Sequence, residues 1–189
     1  METWRNKQLE YSFRYGLMNK YTDFSVCTKN ALEFCCKAFR VDLSSSQKNA
    51  LMDEYSILPA FPDVEIGIQS LLKSGHKLFA FSNGSARAVS KLLTNAEIID
   101  NFDGIVSVEE VKVFKPSPLV YEYFNIKTNS LKSDSWLISG NPFDIIGAAS
   151  YGMHTIWVQR SSDTIFDPWG IEPTMTIKKI TELSVKLMN

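Results

Sequence analysis

The sequence predicts an α/β fold, a parallel β-sheet covered by helices and preceded by an all-helical segment. Three observations lead there. Residues 4–61 carry apolar side chains at three- and four-residue intervals. Beyond Pro59 and Pro62 the texture changes to short apolar runs that alternate with helix-length stretches, the pattern of a parallel sheet with crossover helices. The residues that follow two of the apolar runs are small, polar and hydrogen-bonding, as expected where the strands of an open parallel sheet end at a ligand site.

Taken in order, the helical segment shows its period at Leu9, Phe13, Tyr15, Leu17 and Met18, and again at Ala31, Phe34, Cys35 and Ala38. Thr28 and the run Ser44-Ser45-Ser46 are expected to be N-caps, because their hydroxyls can accept bonds from unpaired first-turn amides. The two prolines set a boundary between residues 1–61 and 62–189. A helix over 64–74 is expected to stop at Gly75. Leu78-Phe79-Ala80-Phe81 then reads as a strand buried on both faces. A helix over 86–95, a strand near 105–108, a helix over 119–124 and a strand over 136–138 continue the alternation. A short helix and a strand over 155–158 complete it. There is no internal repeat and no low-complexity tract.

With 189 residues, 44% of them hydrophobic, the chain can bury a full core. Its 20 basic and 21 acidic residues nearly cancel and form no basic block, so an electrostatic footprint for nucleic acid or anionic lipid is missing and a small-molecule partner is favoured. Cys27, Cys35 and Cys36 are odd in number and lack the spacing of a zinc site, which reads as reduced thiols. No apolar run is long enough to span a bilayer and the first residues have no signal-peptide core. The expectation is a soluble, cytoplasmic protein.

The chemistry-bearing residues stand at the predicted strand ends. Ser82-Asn83-Gly84-Ser85 follows the first apolar run, Lys115-Pro116 lies in a later loop, and Ser139-Gly140-Asn141-Pro142-Phe143-Asp144 follows the third run. A hydroxyl, a lysine and an amide-plus-carboxylate at one sheet edge resemble the later motifs of the haloacid dehalogenase superfamily. Trp4-Arg5-Asn6-Lys7-Gln8-Leu9-Glu10-Tyr11, Tyr21-Thr22-Asp23-Phe24, Val113-Phe114-Lys115-Pro116, Val120-Tyr121-Glu122 and Trp157-Val158-Gln159-Arg160 extend the match. Throughout its length the chain resembles the type II L-2-haloacid dehalogenases. An ordered series of this length is specific where a lone Lys-Pro or Ser-Asn-Gly is weak.

The resemblance implies a Rossmann-like haloacid dehalogenase core over 62–189 with a helical cap over 1–61. It also implies a hydrolase that acts on short 2-halocarboxylic acids without metal or other cofactor. In that family an Asp carboxylate attacks the halogen-bearing carbon and expels halide, and water cleaves the resulting ester. By the same resemblance Arg5 and Asn83 hold the halide and Ser82 the substrate carboxylate, while Lys115 steadies the nucleophile. Ser139, Asn141 and Asp144 orient water and Lys115, Tyr121 is a further polar position, and Leu9, Phe24 and Phe143 line an apolar pocket. The implied partners are a small carboxylate and, through the cap helices, a second copy of the chain.

Each residue also has a plainer reading. Alone, Lys115-Pro116 is a solvated turn, Ser82-Asn83-Gly84 is strand-ending turn chemistry, Arg5 is a surface arginine, and Phe24 and Phe143 are core. Asp144 suits the N-terminus of the helix that starts beside it. His76 and His154 carry no assigned chemistry.

The chain departs from the family pattern at one point. The family's nucleophile stands in an Asp-x-x-Gly-Thr segment ending the first core strand, and nothing of this kind precedes Trp4. Asp23, Asp63 and Asp103 fall in links and loops. The expectation is therefore a fold with its first, central strand missing between the strands ending at Ser82 and Ser139, and a chain inactive as given. Two rivals remain: a Mg²⁺-dependent phosphatase of the same superfamily, which would need more carboxylates than Ser139 to Asp144 supply, and a catalytically dead small-molecule-binding protein.

Overall fold

The computed structural model describes residues 2–187. Three helices come first, α1 (Glu2–Leu17), α2 (Phe24–Phe39) and α3 (Ser45–Tyr55), with α1 packed along α2. Ser44 caps α3 as expected, in a reciprocal box with Gln47. Thr28 is not a cap. Asp23 takes that place on α2 by accepting from Ser25 N at 2.7 Å, and Thr28 lies one turn inside with its hydroxyl donated to Phe24 O at 3.0 Å. A carboxylate at the N-terminus gains from the helix dipole as well as from the amide, so Asp23 wins the position.

The remaining chain alternates helix and strand: α4 (Val64–Lys73), β1 (Phe79–Ser82), α5 (Ala86–Asn95), β2 (Gly104–Ser107), α6 (Pro118–Thr128), β3 (Trp136–Ser139), α7 (Pro142–Tyr151), β4 (His154–Val158), β5 (Met175–Ile177) and α8 (Leu183–Leu187). The expected series is present with small shifts, and α6 runs four residues further than the sequence suggested. Gly75 stops α4's continuation at a positive φ of 81°. The strand β5 was not foreseen, because three residues with one alternation carry too little pattern.

All strand pairs are parallel, but they form two groups. β1 pairs with β2, Phe79 opposite Gly104, and β3, β4 and β5 form a second sheet with Trp136 opposite His154 and Ile156 opposite Met175. Among the described residues no strand joins β1 to β3, in line with the expected missing central strand. Between them runs a cavity of about 610 Å³ walled by Phe79, Phe81, Trp136 and Ile138. This corrects the expected burial of β1. Its four residues are only half-buried, because one lateral side of the strand has no neighbour, whereas β4 is buried from Thr155 to Val158. One core cluster gathers Tyr121, Ile145, Val120 and Trp157 beneath α6 and α7, and a second gathers Leu71, Ile156, Ile177 and Leu183. No helix of the described residues is long and apolar enough to cross a membrane.

Candidate active site

The site grows from the carboxyl ends of β1 and β3 and from the loop after β2. Where β1 ends, Ser82 turns its hydroxyl onto its own loop and accepts from Gly84 N at 3.0 Å, which fixes the turn that presents Asn83. Asn83 is buried, and its Oδ1 accepts from the Lys115 amide at 2.9 Å, tying this turn to the lysine loop. Where β3 ends, Ser139 repeats the device and accepts from Asn141 N at 3.1 Å. Pro142 then opens α7 in the first-turn position where its missing N–H is harmless, and Asp144 follows inside that turn.

Lys115 and Asp144 form the centre. Both are buried, at 4% and 6% exposure, so their charges must satisfy each other. Lys115 Nζ donates to Asp144 Oδ2 at 3.0 Å and to Phe81 O at 3.1 Å, and it lies 3.7 Å from the centre of the Phe81 ring. Tyr121 holds the other carboxylate oxygen, with Oη 2.9 Å from Oδ1. Burial pulls the Lys115 pKa below the ordinary lysine value against the opposing pull of Asp144. Burial, then the Asp144 charge, pushes the Tyr121 phenol well above its usual value, so it remains a donor. Gly147, one turn along α7, leaves room for this arrangement, since a Cβ there would collide with Tyr121 Oη and Pro116.

The expected residues divide by position. Lys115, Ser139, Asn141 and Asp144 line the cavity, and Ser82 and Asn83 join them through the Asn83–Lys115 bond. Tyr121 is fully buried behind Asp144, so its contact is with the carboxylate. Arg5 approaches from α1, its Nη2 3.5 Å from Asn141 Oδ1. Leu9, Phe24 and Phe143 do not line this cavity. Phe143 meets Phe13 of α1 edge-on at 5.2 Å, Phe24 lies 6.1 Å from Phe114, and Leu9 is half-buried on α1. Sequence reasoning gave no role to Gln8 or Tyr55 and took Thr28 for a cap; the three join α1, α2 and α3 around Arg5. Gln8 falls within the Trp4 to Tyr11 match. Its one distinguishing signal is a polar residue at a position where the helix turns inward.

Asp23, Asp63 and Asp103, which fall in links and loops, are engaged elsewhere. Asp23 caps α2, Asp63 pairs with Arg160 and accepts from Ile180 N, and Asp103 accepts from Leu78 N. Among the described residues no group of three His, Cys, Asp or Glu side chains could hold a metal ion. The arrangement is suited to binding an anionic substrate at a lysine-steadied position between two strand ends.

Comparison with known proteins matches residues 26–158 to the model of the family described as haloacid dehalogenase-like hydrolase. The chain is 33% identical over 177 residues to an (S)-2-haloacid dehalogenase of Pseudomonas sp. strain YL, a match covering 94% of this chain and 76% of that one. It is 36% identical over 180 residues to (S)-2-haloacid dehalogenase 2 of Pseudomonas sp. strain CBS-3, covering 95% and 78%. Among solved structures, L-2-haloacid dehalogenase from Xanthobacter autotrophicus with chloropropionic acid covalently bound superposes with a TM-score of 0.90 at 26% identity. That match covers 99% of this chain and 84% of that one.

Proposed function

Because the chain belongs to the haloacid dehalogenase-like hydrolase family, as a hydrolase of the 2-haloacid dehalogenase type, we propose that its site handles short 2-halocarboxylic acids. The observation that carries this reading is the buried Lys115, held between Asp144 and Phe81 O where it lines the cavity. A cation fixed there is placed to steady, between the ends of β1 and β3, the carboxylate that the family carries in its Asp-x-x-Gly-Thr segment. That carboxylate oxygen attacks the carbon bearing the halogen, the carbon–halogen bond breaks, and halide leaves with the bonding pair. Water then cleaves the ester, oriented by Ser139 and Asn141. Ser82 receives the substrate carboxylate. Arg5 and Asn83 receive the halide, the Asn83 oxygen being taken by Lys115 N so that its amide nitrogen is the end left for an anion.

The 189 residues by themselves are expected to release no halide, since Asp144 is committed to Lys115 and Tyr121, Asp103 to Leu78 N and Asp63 to Arg160, and Asp134 precedes β3 rather than following a strand's carboxyl end. The test measures halide from 2-chloropropionate. The chain alone should give none, and a version with a strand ending in Asp-x-x-Gly-Thr ahead of α1 should turn over and be indifferent to EDTA. Turnover by the short chain that Asp144→Asn abolishes would make Asp144 the nucleophile and sink this assignment of roles. Activity lost on chelation and restored by Mg²⁺ would move the protein to the phosphatase branch.

The three helices over 1–61 serve as the cap in this reading, closing over the mouth with Arg5. A cytoplasmic setting suits the three free thiols. Exposed Leu17, Phe39 and Val41 favour pairing of two copies through the cap helices.

A further inference from the structure

Arg5 is held differently from the two arginines that form ion pairs. Arg14 pairs with Glu10 and Arg160 with Asp63, each meeting a carboxylate. Among the described residues no carboxylate reaches the Arg5 guanidinium. Its Nη1 donates to Gln8 Oε1 at 2.5 Å, and its Nη2 lies 3.5 Å from Asn141 Oδ1. Both partners are neutral amides.

Gln8 is itself built into place. It is 1% exposed, and its side chain is the junction of three helices. Its Oε1 accepts a second bond, from Tyr55 Oη at the end of α3 at 3.0 Å. Its Nε2 donates to Thr28 Oγ1 on α2, whose hydroxyl passes its own proton to Phe24 O at 3.0 Å. Trp4 closes the cluster, with Nε1 donating to Thr28 O at 2.8 Å and its ring 5.5 Å from that of Tyr55. Every polar atom of the Gln8 amide therefore has a defined partner. The amide cannot turn over without placing an N–H against both the guanidinium and a phenol hydroxyl.

A glutamate would fill the same space and accept the Arg5 and Tyr55 bonds with more strength, and the Thr28 hydroxyl can turn its proton from Phe24 O to the second carboxylate oxygen. It would also cancel the Arg5 charge inside a partly dry site, where the attraction between unit charges is several times its value in water. We propose that Gln8 is the positioning residue of Arg5: it aims the guanidinium through a neutral oxygen and so leaves the positive charge for a halide ion. This rests on the assignment of Arg5 to the halide. Asn141 does the same from the opposite side, so the guanidinium is oriented at both ends without being neutralised.

The test is bromide titration of the 189-residue chain by calorimetry, with thermal unfolding of each variant measured alongside. Arg5→Gln should weaken bromide binding by about tenfold or more, the effect of one lost charge of about 1.4 kcal/mol. Gln8→Glu should weaken it about as much while unfolding at the same temperature as the parent or higher. Gln8→Met, which removes the anchor but adds no charge, should unfold earlier yet lose only about threefold in affinity. Affinity and stability then run in opposite orders across the two substitutions. A purely structural glutamine requires the same order. If Gln8→Met does not fold, Tyr55→Phe, which keeps Gln8 but removes one of the two donors that hold its oxygen, takes its place with the same expected order. Bromide binding by Gln8→Glu equal to that of the parent, or tighter than by the uncharged variant, overturns the proposal alone. No bromide binding by the parent, or binding unchanged in Arg5→Gln, overturns the halide role of Arg5 and this inference with it.

Discussion

β1 and β4 are nearly interchangeable as sequence and quite different as structure. Leu78-Phe79-Ala80-Phe81 and Thr155-Ile156-Trp157-Val158 are both short apolar runs that suit a strand covered on two faces. β4 has β3 on one side, β5 on the other and α7 packed against it, and Thr155 to Val158 are buried. β1 has β2 on one side and the 610 Å³ cavity on the other, and all four of its residues are half-exposed. Apolar content sets which residues want burial, but the lateral neighbour decides whether they obtain it. The same difference places the chemistry. The open side of β1 leaves Phe81 O without a strand partner, and the Lys115 ammonium takes it.

The largest effect should come from the contact that spans this gap. Lys115 bonds β1 through Phe81 O and reaches Asp144 just beyond β3, so the pair ties the two half-sheets together. Replacing either member leaves a buried charge without its partner, at a cost of about 3 to 5 kcal/mol. We expect Lys115→Met and Asp144→Ala each to lower the unfolding free energy measured in urea by that amount. The double replacement Lys115→Met with Asp144→Leu should recover at least half, since no unpaired charge then remains. Equal losses in the single and double variants would show that the pair does not act as a unit and that the half-sheets are held by packing alone.

How much of this was legible follows the same division. The order of elements came from periodicity. The site residues came from the resemblance, because Ser82, Lys115 and Asp144 stand in short motifs with fixed places in a series. Burial of β1 was misjudged because it depends on a neighbouring strand, which a local window does not contain. Thr28 was misread for a related reason. A hydroxyl near a helix start suits either a cap or an inward bond, and only the partner Gln8, twenty residues away, decides between them. Tyr55 and Gln8 carry no motif of their own, and their meaning lies in the packing of three helices.

A matched pair of residues sharpens the comparison of strands at intermediate size. Ile138 on β3 and Ile156 on β4 stand opposite each other in register, so chemistry and position along the sheet are held constant. Ile156 is fully buried, while Ile138 faces the cavity and is half-buried. Ile156→Ala should cost about 3 to 4 kcal/mol in urea unfolding, within the range for an isoleucine truncated in a packed core. Ile138→Ala should cost less than half of that, because its removal enlarges a space already present. Similar losses at the two positions would mean that β3 is as tightly covered as β4.

The smallest effect belongs to the covered region where α2 meets the lysine loop, and it appears only in alkali. Tyr21 stacks on Phe114 with ring centres 4.9 Å apart, and Cys27 is fully buried nearby in the same cluster. Burial is the main cause in both cases, with the Asp23 charge adding to it. The Tyr21 phenol is pushed up to about 12 and the Cys27 thiol to about 11. Both groups hold their protons more tightly folded than unfolded. Their contribution is therefore complete below the unfolded values of 9.0 for the thiol and 10.0 for the phenol, and it is lost as pH rises through about 11 and about 12. The urea midpoint should stay level on this account up to about pH 9 and then fall progressively towards pH 12. Cys27→Ala and Tyr21→Phe, each lacking the titrating group, should flatten the corresponding part of that fall. Lys115, whose pKa is lowered by burial, contributes in the opposite direction as pH rises. The measurement is therefore the difference between parent and variant at each pH, in which the Lys115 contribution cancels. A difference that does not change between pH 8 and pH 12 would show that these groups meet solvent in the folded chain, and that this interface is as open as the one beside β1.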